Sequence, residues 1–392
     1  MKLKRKLLLY TALLITGILI LAAGTPAFCG EVWSGIKWWP VKTSNWYLPE
    51  GQTYSAKGKV VGRIAPMLLG PKEEEYVKLE KAKKPWKIGV LIPHLKDPYW
   101  VTANWALADE AKRLGINLWF KSAGGYTEVN TQLQQLEALH TMGMDGMVLA
   151  SVHSSALCKV VKELASKGAK IVTAGIDSQC NDIVSNVIAP YIANGRRLAE
   201  WLDKQTKGQK EVKVAWFPGP SGPSWPIDSL TGFKEYMKEI GRLDTQVKIV
   251  AVKWGDSGKN IQLNLIENVL QARPDIDYII GLAPAADAAV QALAERGLEG
   301  KIKILASYVT QPVHAQIKAG KVADASIEHQ VELFRIALNQ IVKVIEGATP
   351  GKDIPFQIAT PLGDLTPENV DQSVYEQLFG PKDWQPVFRV KP

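Results

Sequence analysis

From Trp86 the sequence alternates short apolar runs with amphipathic stretches that end in glycine, and it does so twice. In the first set, 86–93 (WKIGVLIP), 116–123, 146–151 and 169–175 read as buried strands. The stretches 98–115, 130–143 and 156–168 read as helices stopped by Gly115, Gly143 and Gly168. After Tyr191 the pattern restarts. Helices are expected at 193–205, 230–241, 260–274, 286–297 and 312–320, and strands at 212–219, 247–255, 276–283, 302–308 and 324–330, before a long helix at 331–347. Apolar runs this short, joined by helical crossovers, pair in parallel and are covered on both faces. The expected fold is α/β, with two doubly wound parallel-sheet lobes joined by a multi-strand hinge. Lobe 1 takes 86–189 plus 330–348, and lobe 2 takes 190–329 plus 349–392, with the tail returning across the hinge. Ligands of open α/β sheets sit outside the carboxyl ends of the strands. Two such edges facing each other enclose a small molecule, and hinge closure grips it.

What precedes Trp86 is of another kind. Residues 1–30 join a basic start, MKLKRK, to the apolar run Leu7–Ala23 and the small residues before Gly30. This reads as a cleaved secretory signal peptide and a periplasmic location. An uncleaved anchor is the alternative, and acylation at Cys29 a third reading. Residues 31–85 carry Trp33, Trp38, Trp39 and Trp46 and show no sustained period before EEEYVKLEKAKK, which reads as a short exposed helix. This extension is expected to pack on the body, with docking on a partner as the alternative. The chain carries a formal charge of +8, and losing Lys2, Lys4, Arg5 and Lys6 halves it. That small excess, with no helix-turn-helix before the first lobe, argues against nucleic acid. Cys158 and Cys180 either form a disulfide in an oxidising compartment or stay as separate thiols.

Specificity should reside at the strand ends. They read Lys96-Asp97-Pro98-Tyr99-Trp100, then Ala123-Gly124-Gly125-Tyr126, Ala189-Pro190-Tyr191, Phe217-Pro218-Gly219-Pro220 with Trp225 and Asp228 beyond, Ser307-Tyr308, and His329-Gln330. Aromatics dominate, with Trp100, Tyr126, Tyr191 and Tyr308 each placed where a ring can face the cleft. Several rings around one volume suit a methylated nitrogen, each face contributing about 0.5–2 kcal/mol once desolvated. The alternative for each ring is core or hinge packing with a wet polar tip. Asp97 reads equally as a ligand contact and as the cap of the helix that starts at Pro98. Trp105 reads as core, and His329 as a satisfied hinge group.

The architecture resembles the type I periplasmic binding proteins. Within them, HLKDPYW (94–100), AGGY (123–126), FPGP (217–220), GDSGKNIQLNLIENVLQARPDID (255–277) and AADAAV (285–290) resemble the TorT family, from about Trp86 to QPVF at 385–388. The resemblance implies a binding protein that holds trimethylamine N-oxide in an aromatic box and presents itself to the periplasmic domain of a sensor histidine kinase. The matching ligand-binding residues are Trp100, Tyr126 and Tyr308, with Asp97 and Tyr99 in the same motif. Tyr191 stands where the family usually has Trp. Sugar-binding relatives usually carry Asp or Asn at the positions occupied here by Tyr191 and Tyr308. The alternative is a solute-binding component that delivers a sugar or other small molecule to an ABC permease. No GxSxG, CxxC, HExxH or catalytic Cys-His spacing occurs, so neither an enzyme, a metal site nor a cofactor is expected.

Overall fold

The computed structural model describes residues 38–60 and 62–392. The expected signal peptide, with Cys29, lies outside the described residues, as does Trp33 of the extension. In chain order the elements are β1 (Lys42–Tyr47), β2 (Leu69–Glu75), β3 (Lys87–Ile92), α1 (Pro98–Leu114), β4 (Asn117–Ser122), α2 (Val129–Thr141), β5 (Gly146–Leu149), α3 (Cys158–Ser166), β6 (Ile171–Ala174) and β7 (Ser185–Ile188). Then come α4 (Tyr191–Gln205), β8 (Val212–Phe217), α5 (Ser224–Glu239), β9 (Val247–Val252), α6 (Lys259–Ala272), β10 (Tyr278–Gly281), α7 (Ala283–Glu295), β11 (Lys303–Ala306), α8 (Gln311–Lys318) and β12 (Asp324–Ile327). The chain ends with α9 (Gln330–Ile345), β13 (Gln357–Ala359), β14 (Gly363–Leu365), α10 (Tyr375–Phe379) and β15 (Arg389–Val390).

Two sheets result. The first has nine strands in the order β15-β4-β3-β5-β6-β7-β13-β1-β2, and the second six, β14-β12-β11-β10-β8-β9. The central strands pair in parallel: β4, β3, β5, β6, β7 and β13 in the first sheet, and β12, β11, β10, β8 and β9 in the second. Central strands such as β5, β6, β7 and β10 are buried along their whole length, as parallel strands covered on both faces must be. This is the two-lobed doubly wound α/β architecture that the alternation predicts. Trp216, Phe233, Val214, Ile280 and Leu305 pack at the heart of the second lobe.

Three expectations need correction. The acidic run does not form a helix. Glu73, Glu74 and Glu75 belong to β2, which pairs antiparallel with β1, and β1 pairs antiparallel with β13. The open edge of the first sheet supplied backbone partners, and cross-strand bonds from Ser44 to Glu73 (2.6 Å) and from Asn45 to Glu74 (3.1 Å) fix the register. The tail, expected with the second lobe, divides: β13 and β15 join the first sheet, and only β14 joins the second. The third is α5, which starts at Ser224 rather than near 230 and so carries Trp225 in its first turn.

The extension does more than close a sheet edge. Trp38 lies 5.4 Å from the Trp105 ring, and the Arg335 guanidinium sits 4.4 Å from the Trp38 ring and 5.2 Å from that of Trp105. Arg335, on α9, is buried and bonds Asp109 (2.5 Å) and Glu110 (2.9 Å) of α1. Further on, residues 56–60 and 62–63 make contacts with both lobes. The Ala56 N–H donates to Asn181 Oδ1 at 2.7 Å, and Lys59 Nζ donates to Asp177 (2.6 Å) and to the Ser178 carbonyl (3.1 Å), all after β6. Arg63 then pairs with Glu235 on α5, and a Cβ at Gly62 would overlap the Asp228 carboxylate of the same helix. The Lys59 side chain is fully buried and that of Asp177 nearly so. Removing one member of such a pair leaves an uncompensated buried charge, at a cost of about 3–5 kcal/mol. Lys59→Met is therefore expected to lower the urea midpoint strongly, whereas an unchanged midpoint would mean the pair contributes nothing.

Cys158 and Cys180 are joined by a disulfide that ties the start of α3 to the loop after β6. Its loop closure, across a separation of 22 residues, is worth about 3 kcal/mol in the chain-entropy account. Cys158→Ser is expected to lower the unfolding free energy by that order, and the wild type in reducing agent to match it. Identical denaturation curves for oxidised and reduced protein would contradict this.

Candidate functional site

The site is assembled by the ends of helices and strands that the sheet topology brings to one place. Asp97 caps α1: its Oδ1 accepts the Tyr99 N–H at 3.0 Å, with Pro98 in the first turn. The cap sets Tyr99 and Trp100 on the first helical turn, pointing out beyond β3. On the opposite side, α4 and α5 begin with Tyr191 and with Ser224-Trp225. These helices approach closely because Gly195 and Gly232 face backbone. A Cβ on either would overlap the Ser229 carbonyl or the Ile192 carbonyl, respectively. That close approach fixes the separation of Tyr191 and Trp225 at the helix starts.

All six residues expected at the site, Asp97, Tyr99, Trp100, Tyr126, Tyr191 and Tyr308, line one cavity of about 280 Å³ of empty space. Gly175, Trp225 and Glu328 complete its wall. Asp97 caps α1 as expected and also lines this cavity. Asp228, noted beside Trp225, is buried elsewhere, against the extension, and His329 is half-exposed and absent from the wall. Trp105 is core.

The rings touch one another across the two lobes. Trp100 lies 5.2 Å from Tyr99, Tyr99 5.4 Å from Tyr308, Tyr308 5.9 Å from Trp225, and Trp225 6.3 Å from Tyr126. Phe334 of α9 backs this chain, 5.8 Å from Trp100 and 6.0 Å from Tyr99. Most of these contacts are edge-to-face, the arrangement that ring quadrupoles favour. The Tyr308 hydroxyl donates to Asp97 Oδ2, a direct bond between lobes. Gln311 to Thr102 (3.1 Å), the Ser154 N–H to the Gly222 carbonyl (3.3 Å), and His94 to Ser257 (3.0 Å) join the lobes around it. Every ring and carboxyl of the wall is buried, so the cavity lies inside a closed clamp.

Polar groups within it are few. The Tyr191 hydroxyl donates to the Gly175 carbonyl, while the Tyr99 hydroxyl is buried with no partner. Glu328 Oε1 accepts from Asn194 Nδ2 at 3.0 Å. Burial pushes the Asp97 carboxyl up to about 6, against the Tyr308 and Tyr99 bonds that hold it down. Burial also pushes Glu328 up to about 8, with the Asp97 charge adding to the rise. All four wall tyrosines have their hydroxyls held well above the usual range, first by desolvation. Among the described residues no cluster of His, Cys, Asp or Glu could hold a metal. A larger open depression, about 1180 Å³, lies on the second lobe between Trp201, Leu293, Lys303 and Lys321, away from these rings.

Sequence reasoning missed Glu328 and left Trp225 out of the set. Trp225 was visible beside the FPGP turn, but the helix was expected to begin later. Glu328 lies near the end of an apparent strand, DASIEHQ, where an acid ordinarily faces water.

Residues 88–349 match the family model described as periplasmic binding protein domain. The chain belongs to that family, the type I periplasmic binding proteins, whose members are solute-binding proteins rather than enzymes. A solved ABC transporter solute-binding protein from Bradyrhizobium sp. BTAi1, with bound bis-tris, is 32% identical and has a TM-score of 0.71 over 90% of this chain and 99% of that one. Periplasmic protein TorT of Escherichia coli K12 is 28% identical over 79% of this chain and 86% of its own length. A solved complex of the TorS sensor domain with TorT, in the presence of TMAO, is 25% identical with a TM-score of 0.66, over 77% of this chain and 99% of that one.

Glu328 and Asp97 give the site a pH signature. An acid whose folded pKa is raised holds its proton in the folded state, so stability is full below the unfolded pKa and is lost as pH rises towards the folded one. For Glu328 that window runs from its ordinary 4.5 to about 8. Glu328→Gln can still accept from Asn194 and does not titrate. Between pH 5 and 8 the wild type is expected to lose stability relative to Glu328→Gln, read from urea midpoints. Parallel pH profiles would contradict the burial of this carboxyl.

Proposed function

We propose that this protein is an exported receptor that clamps a small methylated amine or N-oxide, trimethylamine N-oxide being the reference compound, and reports occupancy to the periplasmic domain of a sensor histidine kinase. The observation that carries this reading is the wall of the cavity. Trp100, Tyr126, Tyr191, Tyr308, Tyr99 and Trp225 face one another around a single cavity between the lobes. Hydroxyl-reading sites need several acceptors and donors at known angles, and this wall offers mainly ring surface. Four ring faces at the upper end of about 0.5–2 kcal/mol each, with one hydrogen bond from the Tyr99 hydroxyl, approach micromolar affinity, about −8 kcal/mol, when lobe closure costs little. The likeness to TorT, solved with a sensor domain and TMAO, supports the signalling half. Tyr191 in place of the family's usual Trp resizes one wall.

The second reading is delivery of the ligand to an ABC permease. It is favoured by the Bradyrhizobium relative, which is described as an ABC transporter protein and shares a larger part of this chain.

A thermal-shift screen of the mature chain against methylamines, N-oxides, betaines and pentoses tests the proposal, because a ligand that binds only the folded clamp raises the melting temperature. Methylated nitrogen compounds are expected to raise it, and Trp100→Ala to weaken their binding at least tenfold by calorimetry, about 1.4 kcal/mol. A rise with pentoses alone would end the aromatic-cage reading.

A further inference from the structure

The cavity holds two carboxyl groups and no basic side chain. Its wall residues are Asp97 and Glu328 among rings and one glycine. Asp97 has both oxygens engaged, by the Tyr99 N–H and the Tyr308 hydroxyl. Glu328 is 4% exposed, and its side-chain bond is from Asn194, a neutral amide. The nearest cation in that network is Arg197, which is committed to Asp324 at 3.0 and 2.6 Å. It reaches Glu328 only through Ser326, which donates to Asn194 Oδ1 at 2.5 Å. A buried carboxyl without a cation is costly when ionised and is kept where something else supplies the charge.

Resting on the reading above, we infer that the ligand is a methylated ammonium cation, and that Glu328, with Asp97, selects it over the net-neutral N-oxide. The rings hold the methyl groups, whose carbons carry the spread positive charge. The carboxylates neutralise that charge within a medium where Coulombic attraction is strong. An N-oxide presents the opposite demand, since its oxygen needs a donor. In this wall the donors are tyrosine hydroxyls, the indole N–H groups of Trp100 and Trp225, and Glu328 in its protonated form.

The two ligands therefore respond to pH with opposite signs. The groups facing Glu328 are Asp97 from the start of α1, Tyr99 on α1, Tyr191 and Asn194 on α4, and Tyr308 after β11. Among them only Asp97 and Glu328 change charge between pH 5 and 8.5, because the tyrosines stay neutral. A cation binds the ionised carboxylates better, so its affinity rises as they deprotonate. The N-oxide gains nothing from ionisation and loses a donor.

Calorimetric titration of the full mature chain with tetramethylammonium, whose charge does not titrate, and with trimethylamine N-oxide, at pH 5.5 and pH 8.5, tests the inference. Tetramethylammonium is expected to bind at least tenfold more tightly at pH 8.5 than at pH 5.5, and at pH 8.5 to outbind the N-oxide. Glu328→Gln should remove most of that gain. If the N-oxide binds more tightly at both pH values and tetramethylammonium shows no pH gain, the cation assignment is wrong and the methylated-nitrogen reading stands. If neither compound binds, both fall. The wild-type comparison decides the matter even where the variant does not fold.

Discussion

The structure turns on one carboxylate. Asp97 caps α1 from a buried position and at the same time accepts the Tyr308 hydroxyl from the other lobe. Its first bond fixes where α1 begins and so where Tyr99 and Trp100 stand. Its second ties the two lobes across the cavity. A buried acid is tolerated only when its acceptors are filled, so opening the lobes exposes or orphans this group. Local helix chemistry and clamp closure are thereby coupled through a single side chain. Within the second lobe, the near-contact of α4 and α5 at Gly195 and Gly232 plays the complementary part, holding Tyr191 and Trp225 at a fixed span.

Around this centre the molecule is tied by elements outside the two alternating units. The extension adds β1 and β2 to the first sheet, lays Trp38 on Arg335 and Trp105, and carries Lys59 and Arg63 to partners in both lobes. The tail threads β13 and β14 through opposite sheets before β15 pairs with β4. Hinge closure of a two-lobed binding protein usually turns on a few connecting strands. Here Lys59 and Arg63 hold opposite lobes as well, and any opening must move them.

Much of this was legible in residue order. Asp97-Pro98 with Gly115 marks both ends of α1, and the observed helix runs from Pro98 to Leu114 with Gly115 in the left-handed region. The apolar runs at 87–92, 146–149 and 278–281 became buried parallel strands as their composition requires. The cavity-lining rings Trp100, Tyr126, Tyr191 and Tyr308 were readable from the rule that cleft residues sit at strand ends. What escaped did so for physical reasons. β2 carries Pro71 and acids that local propensity assigns elsewhere, and only the free sheet edge made it a strand. Trp225 follows GPSGP, which hides the start of α5. Glu328 is drawn inside by Asn194, a partner far away in sequence, and no local pattern announces a buried acid.

The central claim is geometric and is tested most directly by a crystal structure of the protein with a methylated nitrogen compound. The account predicts its nitrogen within about 6 Å of several ring centroids among Trp100, Tyr126, Trp225 and Tyr308, with the Asp97–Tyr308 bond in place. A ligand seated outside that ring wall, or density there for a hydroxyl-rich sugar bound through carboxylates and amides, would contradict it.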